Sequence, residues 1–198
     1  MTRAPQARRL KTRAQLLAVA RDIVTIRGFS ALRVEDVVTQ AGTAKGTLFA
    51  HFGDKDGLLA VIVGDDLTGM LDGLVDGPAP RDVADLCSML SPMLAYAGTD
   101  RTVFDLMLRY SGATGAHSDT QIAAFFDGQI KVFSAWIADL QVRGVVRTDQ
   151  PPQVLAEGIQ AFFNYVLSVW FCMQPSTNET PAPALEPYIK AWLEPSQG

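Results

Sequence analysis

Apolar residues recur at helical spacing almost from the start of the chain. Leu16, Ala20, Ile23 and Val24 share one face of a segment ending at Arg27, and Gly28 follows as a residue able to turn left-handed after a helix end. The spacing predicts a helix over residues 8–27. A shorter periodic piece, Val34, Val37, Val38 and Ala41, closes at Gly42, and after a short break a third piece begins near Lys45 and runs to His51. Two short helices joined by a glycine-containing turn make a helix-turn-helix. Asp54 can accept from the free amides of the next first turn, and Leu58, Leu59, Ile62, Val63 and Leu67 give that helix an apolar stripe reaching about residue 75.

The breaker cluster Asp76 to Pro80 then interrupts the pattern and reads as a hinge. Helices resume at 81–98 with a kink at Pro92, then at 100–111, 119–143, 151–173 and 184–194, and no strand alternation competes with them. Ile122, Phe126, Ile130, Phe133, Ile137 and Leu140 follow the helical period, with Phe125, Val132 and Trp136 as a stripe beside them. That helix is expected to be central and buried on two sides. The next, with Asp149 or Gln150 as its cap and proline in its first turn, carries more apolar surface than one core needs. Pairing it with its copy and with the last helix, which Pro187 shortens, would bury the excess in a four-helix interface. Leu155, Ile159, Phe162, Val166, Trp170 and Trp192 are the candidates for that homodimer contact. The fold class expected is all-α.

Composition narrows the picture. At 198 residues, 48% hydrophobic and 19% charged, the chain can build a core and is not a disordered segment. Its two cysteines, Cys87 and Cys172, cannot frame a disulfide-rich secreted fold, and both fall on apolar helix faces, where a buried thiol is the ordinary case. The basic N-terminus is not followed by the apolar run of a signal peptide. The longest apolar stretch, residues 161–173, is broken by Asn164 and Ser168 and falls short of the roughly 20 residues that cross a bilayer, so it reads as a buried helix. A cytoplasmic protein with no membrane partner is expected.

The net charge of -4 hides an asymmetry. Residues 1–60 hold ten Lys or Arg against five Asp or Glu, and the remainder seven against sixteen. A basic third on an acidic protein points to a polyanion or an anionic membrane surface at one end.

Leu16 to Val63 resembles the tetracycline-repressor (TetR) family of bacterial transcriptional regulators. The resemblance rests on Leu16-Leu17 with Ala20, the Gly28-Phe29 turn, Asp36-Val37-Val38, Ala41-Gly42, the run Lys45-Gly46-Thr47-Leu48-Phe49-Ala50-His51-Phe52, and Lys55-Asp56-Gly57-Leu58-Leu59. It implies a DNA-binding module at 1–54, a connecting helix at 55–75, and a helical effector-binding and dimerisation domain at 76–198. It also implies a homodimeric repressor released from a palindromic operator by a small molecule. The chemistry agrees: backbone affinity needs cations, and sequence choice needs a slim helix in the major groove. Ala44 and Gly46 keep the recognition helix slim, and Lys45 and Thr47, with Thr43 beside them, are candidates for base-edge or nearby phosphate contacts. By similarity Phe49, His51 and Lys55 contact the DNA backbone, while Leu48 and Phe52 lock the helix against Leu16, Ala20 and Val37.

Three departures from the family pattern touch the site. Phe49 stands where tyrosine is usual and cannot donate to a phosphate; Ala44 replaces a capping serine, which leaves Thr43 as the expected cap; and Arg33 replaces a capping Ser or Thr and adds a charge able to reach phosphate. In the second domain, Phe104, Met107, Phe125, Phe126, Trp136, Phe162 and Phe163 either line an effector pocket or fill a helical core, with Arg109, Asp105 and His117 as nearby polar groups. An apolar or amphipathic effector follows from that composition. His51 and His117 are the two histidines and have no cysteine near them, so neither metal nor cofactor is expected, and no catalytic motif argues for an enzyme. A DNA-binding regulator without an effector, and a small-molecule-binding or enzymatic helical protein with an unused DNA-binding module, are the alternatives.

Overall fold

The computed structural model describes residues 3–111, 120–173 and 179–195; His117 and Asn178, the latter in a chance glycosylation pattern, lie outside them. Among the described residues every regular element is a helix: α1 (Arg3–Arg27), α2 (Val34–Gln40), α3 (Lys45–Phe52), α4 (Lys55–Asp76), α5 (Val83–Gly98), α6 (Arg101–Tyr110), α7 (Gln121–Val142), α8 (Pro152–Met173) and α9 (Ala182–Leu193).

The boundaries follow local chemistry. Gly28 leaves α1 at φ +83°, a left-handed conformation that costs glycine little. Asp54, Asp82, Asp100 and Thr120 cap α4, α5, α6 and α7 by accepting from backbone amides of the first turn. α8 begins without help from Asp149, whose carboxylate is held by Arg147 at 2.6 Å. α1 begins five residues ahead of the expected start, because residues 3–7 lack apolar periodicity yet contain no residue that forbids a helical first turn.

Packing builds two layers around α4. Its first half, through Leu58, Leu59, Ile62 and Val63, closes the core of Leu16, Ala20, Val37 and Leu48 under the helix-turn-helix. Its length also packs against α6 and α7, and α7 packs on α8, α8 on α9 and α9 on α5. α7 is central as its periodicity implies, with Ile122, Phe125, Phe133, Trp136, Ile137 and Leu140 buried. The expected hinge at 76–80 is pinned: Arg143 at the end of α7 donates to the carbonyls of Pro80 (2.8 Å) and Arg81 (2.9 Å).

α8 is long and apolar enough to cross a membrane, but one side of it is core: Leu155, Ile159, Phe163 and Val166 are buried. Its other side is exposed in the single chain, so within 161–173 the helix is buried on one face only. Val154, Tyr165 and Met173 lie there in the open.

Candidate nucleic-acid interface

Leu48 and Phe52 turn one face of α3 into the core beside Leu16, Ala20 and Val37, as expected. The opposite face carries Ala44, Lys45, Gly46, Phe49 and Ala50, all exposed. A Cβ built on Gly46 would meet no atom within 4 Å, so nothing in the protein crowds this face. Phe49 is 44% exposed and has no hydroxyl with which to reach a phosphate, leaving apolar contact as what its ring can offer.

The helix starts differently from the expectation. Ala44 occupies the cap position and no side chain caps α3; Thr43 sits one residue too early to reach the first-turn amides. Thr43 and Thr47 instead line a cleft against α1. Arg33 opens α2 without capping it and is exposed, His51 is half-buried with its ring tilted against Phe52, and Lys55 begins α4 directly after its Asp54 cap. Lys45 forms an ion pair with Glu35 of α2. That contact lowers the Glu35 pKa, chiefly through the hydrogen bond from Lys45. Engaging a base edge therefore requires Lys45 to exchange one partner for another, a feature the sequence signals only by an acid ten positions upstream.

The module is tied to the rest of the chain at several points. Asp100, the cap of α6, accepts from the amide of Thr102 at 2.8 Å and from that of Ser30 in the α1–α2 loop at 3.0 Å. Burial opposes its charge, but these donors outweigh it and hold its pKa below the ordinary carboxylate value. At the far end of α6, Arg109 pairs with Asp56 in the first turn of α4. Arg21 of α1 bridges Asp65 (2.8 Å) and Asp66 (2.6 Å) of α4, and the Tyr96 hydroxyl donates to Asp66 at 2.8 Å. Burial, followed by the Asp66 charge, pushes the Tyr96 phenol well above its usual range, which keeps it a donor.

The second domain divides the remaining candidates. Phe104, Met107, Phe125, Trp136 and Phe163 are buried, and Phe126 packs half-buried beside Phe125 with ring centroids 5.3 Å apart. Phe162 does not join them; it stacks on Tyr188 at 5.6 Å and meets Trp192 at 6.0 Å on the outer face of α8 and α9. Arg109 is exposed and directed to Asp56, so it does not orient an interior ligand. Periodicity could not separate these faces because α8 is apolar around most of its circumference. Gln129, which the sequence reading passed over, is 1% exposed. Its amide donates to the Met93 sulfur at 3.0 Å, and its Oε1 has no partner among the described residues.

Of the dimer candidates, Leu155, Ile159 and Val166 are spent on the chain's own core and cannot form an outer surface. Phe162, Trp170 and Trp192 are half-buried, and exposed Tyr165, Met173 and Tyr188 extend the apolar patch beside them. Cys87 is buried and its thiol pushed up to about 11, mainly by burial, whereas Cys172 is exposed, contrary to expectation.

A slim, cation-bearing helix held by a three-helix module and braced on a helical domain defines a DNA-binding transcriptional regulator of the helix-turn-helix class. Residues 16–62 match the model of the bacterial regulatory proteins of the tetR family. Over those residues the chain is similar to that family. It is similar to YvdT, an HTH-type transcriptional regulator of Bacillus subtilis, at 27% identity over 134 residues covering 65% of this chain and 68% of that one. A TetR-family regulator of Pectobacterium atrosepticum is 26% identical, with a TM-score of 0.63 over 96% of this chain and 93% of its own. Thermus thermophilus FadR, a repressor solved with lauroyl-CoA, is 16% identical, with a TM-score of 0.63 over 91% and 92%.

Proposed function

We propose that the chain is a cytoplasmic, homodimeric repressor whose helix-turn-helix module (1–54) reads a palindromic operator and whose second domain (76–198) binds a small amphipathic molecule that releases it. The observation that carries this reading is α6, anchored to the DNA-binding module at both ends: Asp100 to Ser30, and Arg109 to Asp56 beside Lys55. A ligand that moves α6 against α7 changes both anchors at once, and with them the set of the recognition helix on α4. Arg33, Lys45, Phe49, His51 and Lys55 are the contacts to DNA, and the α8–α9 face is the dimer contact. The solved FadR relative, which holds an acyl-CoA, supports an amphipathic effector.

Selection of random duplex DNA by the purified protein at two salt concentrations tests the first half: enrichment of a palindrome is expected, and sequence-blind retention alone would refute it. Lauroyl-CoA is the first effector probe. By reciprocity the operator must weaken effector binding by the factor by which the effector weakens operator binding, typically about 5- to 150-fold, and equal effector affinity with and without operator would refute the linkage.

A further inference from the structure

Among the described residues no Asp, Glu, Lys, Arg, His, Asn, Ser or Thr is buried, and Gln129 of α7 is the single amide side chain that is. It stands where three helices meet. Its amide donates to the sulfur of Met93 in α5 at 3.0 Å, and a Cβ on the adjacent Gly128 would fall 2.8 Å from Cδ2 of Leu71 in α4. A thioether is a weak acceptor, and Oε1 has no partner among the described residues, so both ends of the side-chain amide are left short. Phe125 and Phe133 lie one turn before and one turn after Gln129 on the same helix face, and both are buried. The side facing α5 is the one able to give way: Met93 is unbranched and adaptable, and Pro92 before it deprives the Ser88 carbonyl of its intrahelical donor.

We propose that Gln129 selects the effector, which is an uncharged aromatic molecule carrying one hydroxyl: the hydroxyl donates to Oε1 while the body displaces the Met93 side chain and packs on Phe125 and Phe133. The proposal rests on the effector-binding reading and gives it a chemical class. A neutral head is required, because no buried charge among the described residues could pair with one brought to this depth. A hydroxyl answers both ends of the amide, since its proton suits Oε1 and its oxygen can accept the N–H now spent on sulfur. The aromatic body is matched by the two rings that flank Gln129 along α7. An effector seated here stands between α5 and α7 and beside Leu71 of α4, the helix that carries the recognition module.

The test is calorimetric titration of the full chain with para-alkylphenols from ethyl to octyl, each paired with its methyl ether, which keeps the shape and removes the donor. Wild type is expected to bind the best-fitting phenol about 10-fold more tightly than its ether, the worth of one buried hydrogen bond. Gln129→Met keeps the length of the side chain and removes the acceptor. It is expected to bind phenol and ether alike, and its retained ether binding reports an intact fold. Gln129→Leu serves beside it with a shorter side chain and the same expected loss of preference. The matching para-alkylbenzoates, charged at neutral pH, should bind wild type more weakly than the phenol does.

Equal affinity of wild type for phenol and ether, or a phenol preference that persists in Gln129→Met and Gln129→Leu, would overturn the role of Gln129. Tighter binding of the benzoate than of the phenol would overturn the requirement for a neutral head. Wild type that takes up none of the phenols would overturn the site; lauroyl-CoA weakening operator binding would then leave the effector-binding reading standing. Conversely, phenol held through Gln129 with equal affinity in the presence and absence of operator would keep the site and remove its link to DNA.

Discussion

Gly158 sits in the second turn of α8, where the Trp192 indole of α9 lies close against it. A Cβ there would fall 2.7 Å from Cζ2 of Trp192 and closer still to Nε1 and Cε2. The indole cannot yield by rotating a flexible tip, because its N–H donates to the Leu155 carbonyl at 3.0 Å and Phe162 and Arg147 pack on its ring. Gly158→Ala therefore forces Trp192 outward. Overpacking of this kind costs about 1–3 kcal/mol. The lost hydrogen bond costs about 1 kcal/mol. Replacing glycine inside a helix returns about 1 kcal/mol. The net loss is about 2 kcal/mol, or roughly 4–8 °C in Tm for a chain of this size. Gly69→Ala and Gly73→Ala on α4 are the controls: neither Cβ meets an atom within 4 Å, so only the propensity gain remains and stability should rise. Thermal unfolding followed by circular dichroism gives the sign for each variant, and sedimentation reports the oligomer that Trp192 is proposed to support. A Tm for Gly158→Ala equal to or above wild type would refute the packing argument.

Three further outcomes are expected. Lys55→Ala should weaken binding to all duplexes alike and lower the salt slope by about 0.9 per subunit, whereas Lys45→Ala should change the preferred sequence in a repeated selection; identical behaviour of the two would refute the division between backbone and base contacts. Gln129→Leu should raise stability by about 1–2 kcal/mol by removing a buried acceptor without a partner, and a lower Tm in calorimetry would refute this. Because the Asp100 pKa is depressed in the folded chain, the stability it contributes is present above its unfolded pKa and lost as pH falls through the folded value. Urea midpoints measured from about pH 5 downward through the carboxylate range should therefore fall more steeply for wild type than for Asp100→Ala, and parallel profiles would count against the Ser30 link.

The sequence was most legible where punctuation was strong. Gly42, Asp54 and Gly28 bracket α2, α3 and α4, and those elements lie within a residue or two of their expected ends. The start of α1 was hidden because residues 3–7 are helix-compatible but carry no apolar period. Periodicity also shows which residues share a face without saying what that face meets. So the pattern offers Leu155 and Ile159 to a partner subunit while they fill their own core, and it offers Phe162 to both the interior and the dimer contact while the ring stacks on Tyr188. Contacts that join distant segments, Gln15 to Ala41 and Asp100 to Ser30, leave no mark in local pattern.

The open space around Gly46 separates two demands that usually compete. At most positions of a folded chain a new side chain must first be accommodated by its own protein, but at 46 it would meet only what the helix is laid against. Glycine there costs α3 about 1 kcal/mol relative to alanine, so the fold itself would favour a larger residue. With α3 laid in the groove as proposed, the choice of residue at this position would fall to the groove, and operator preference could drift there, one substitution at a time, without putting the stability of the fold at risk.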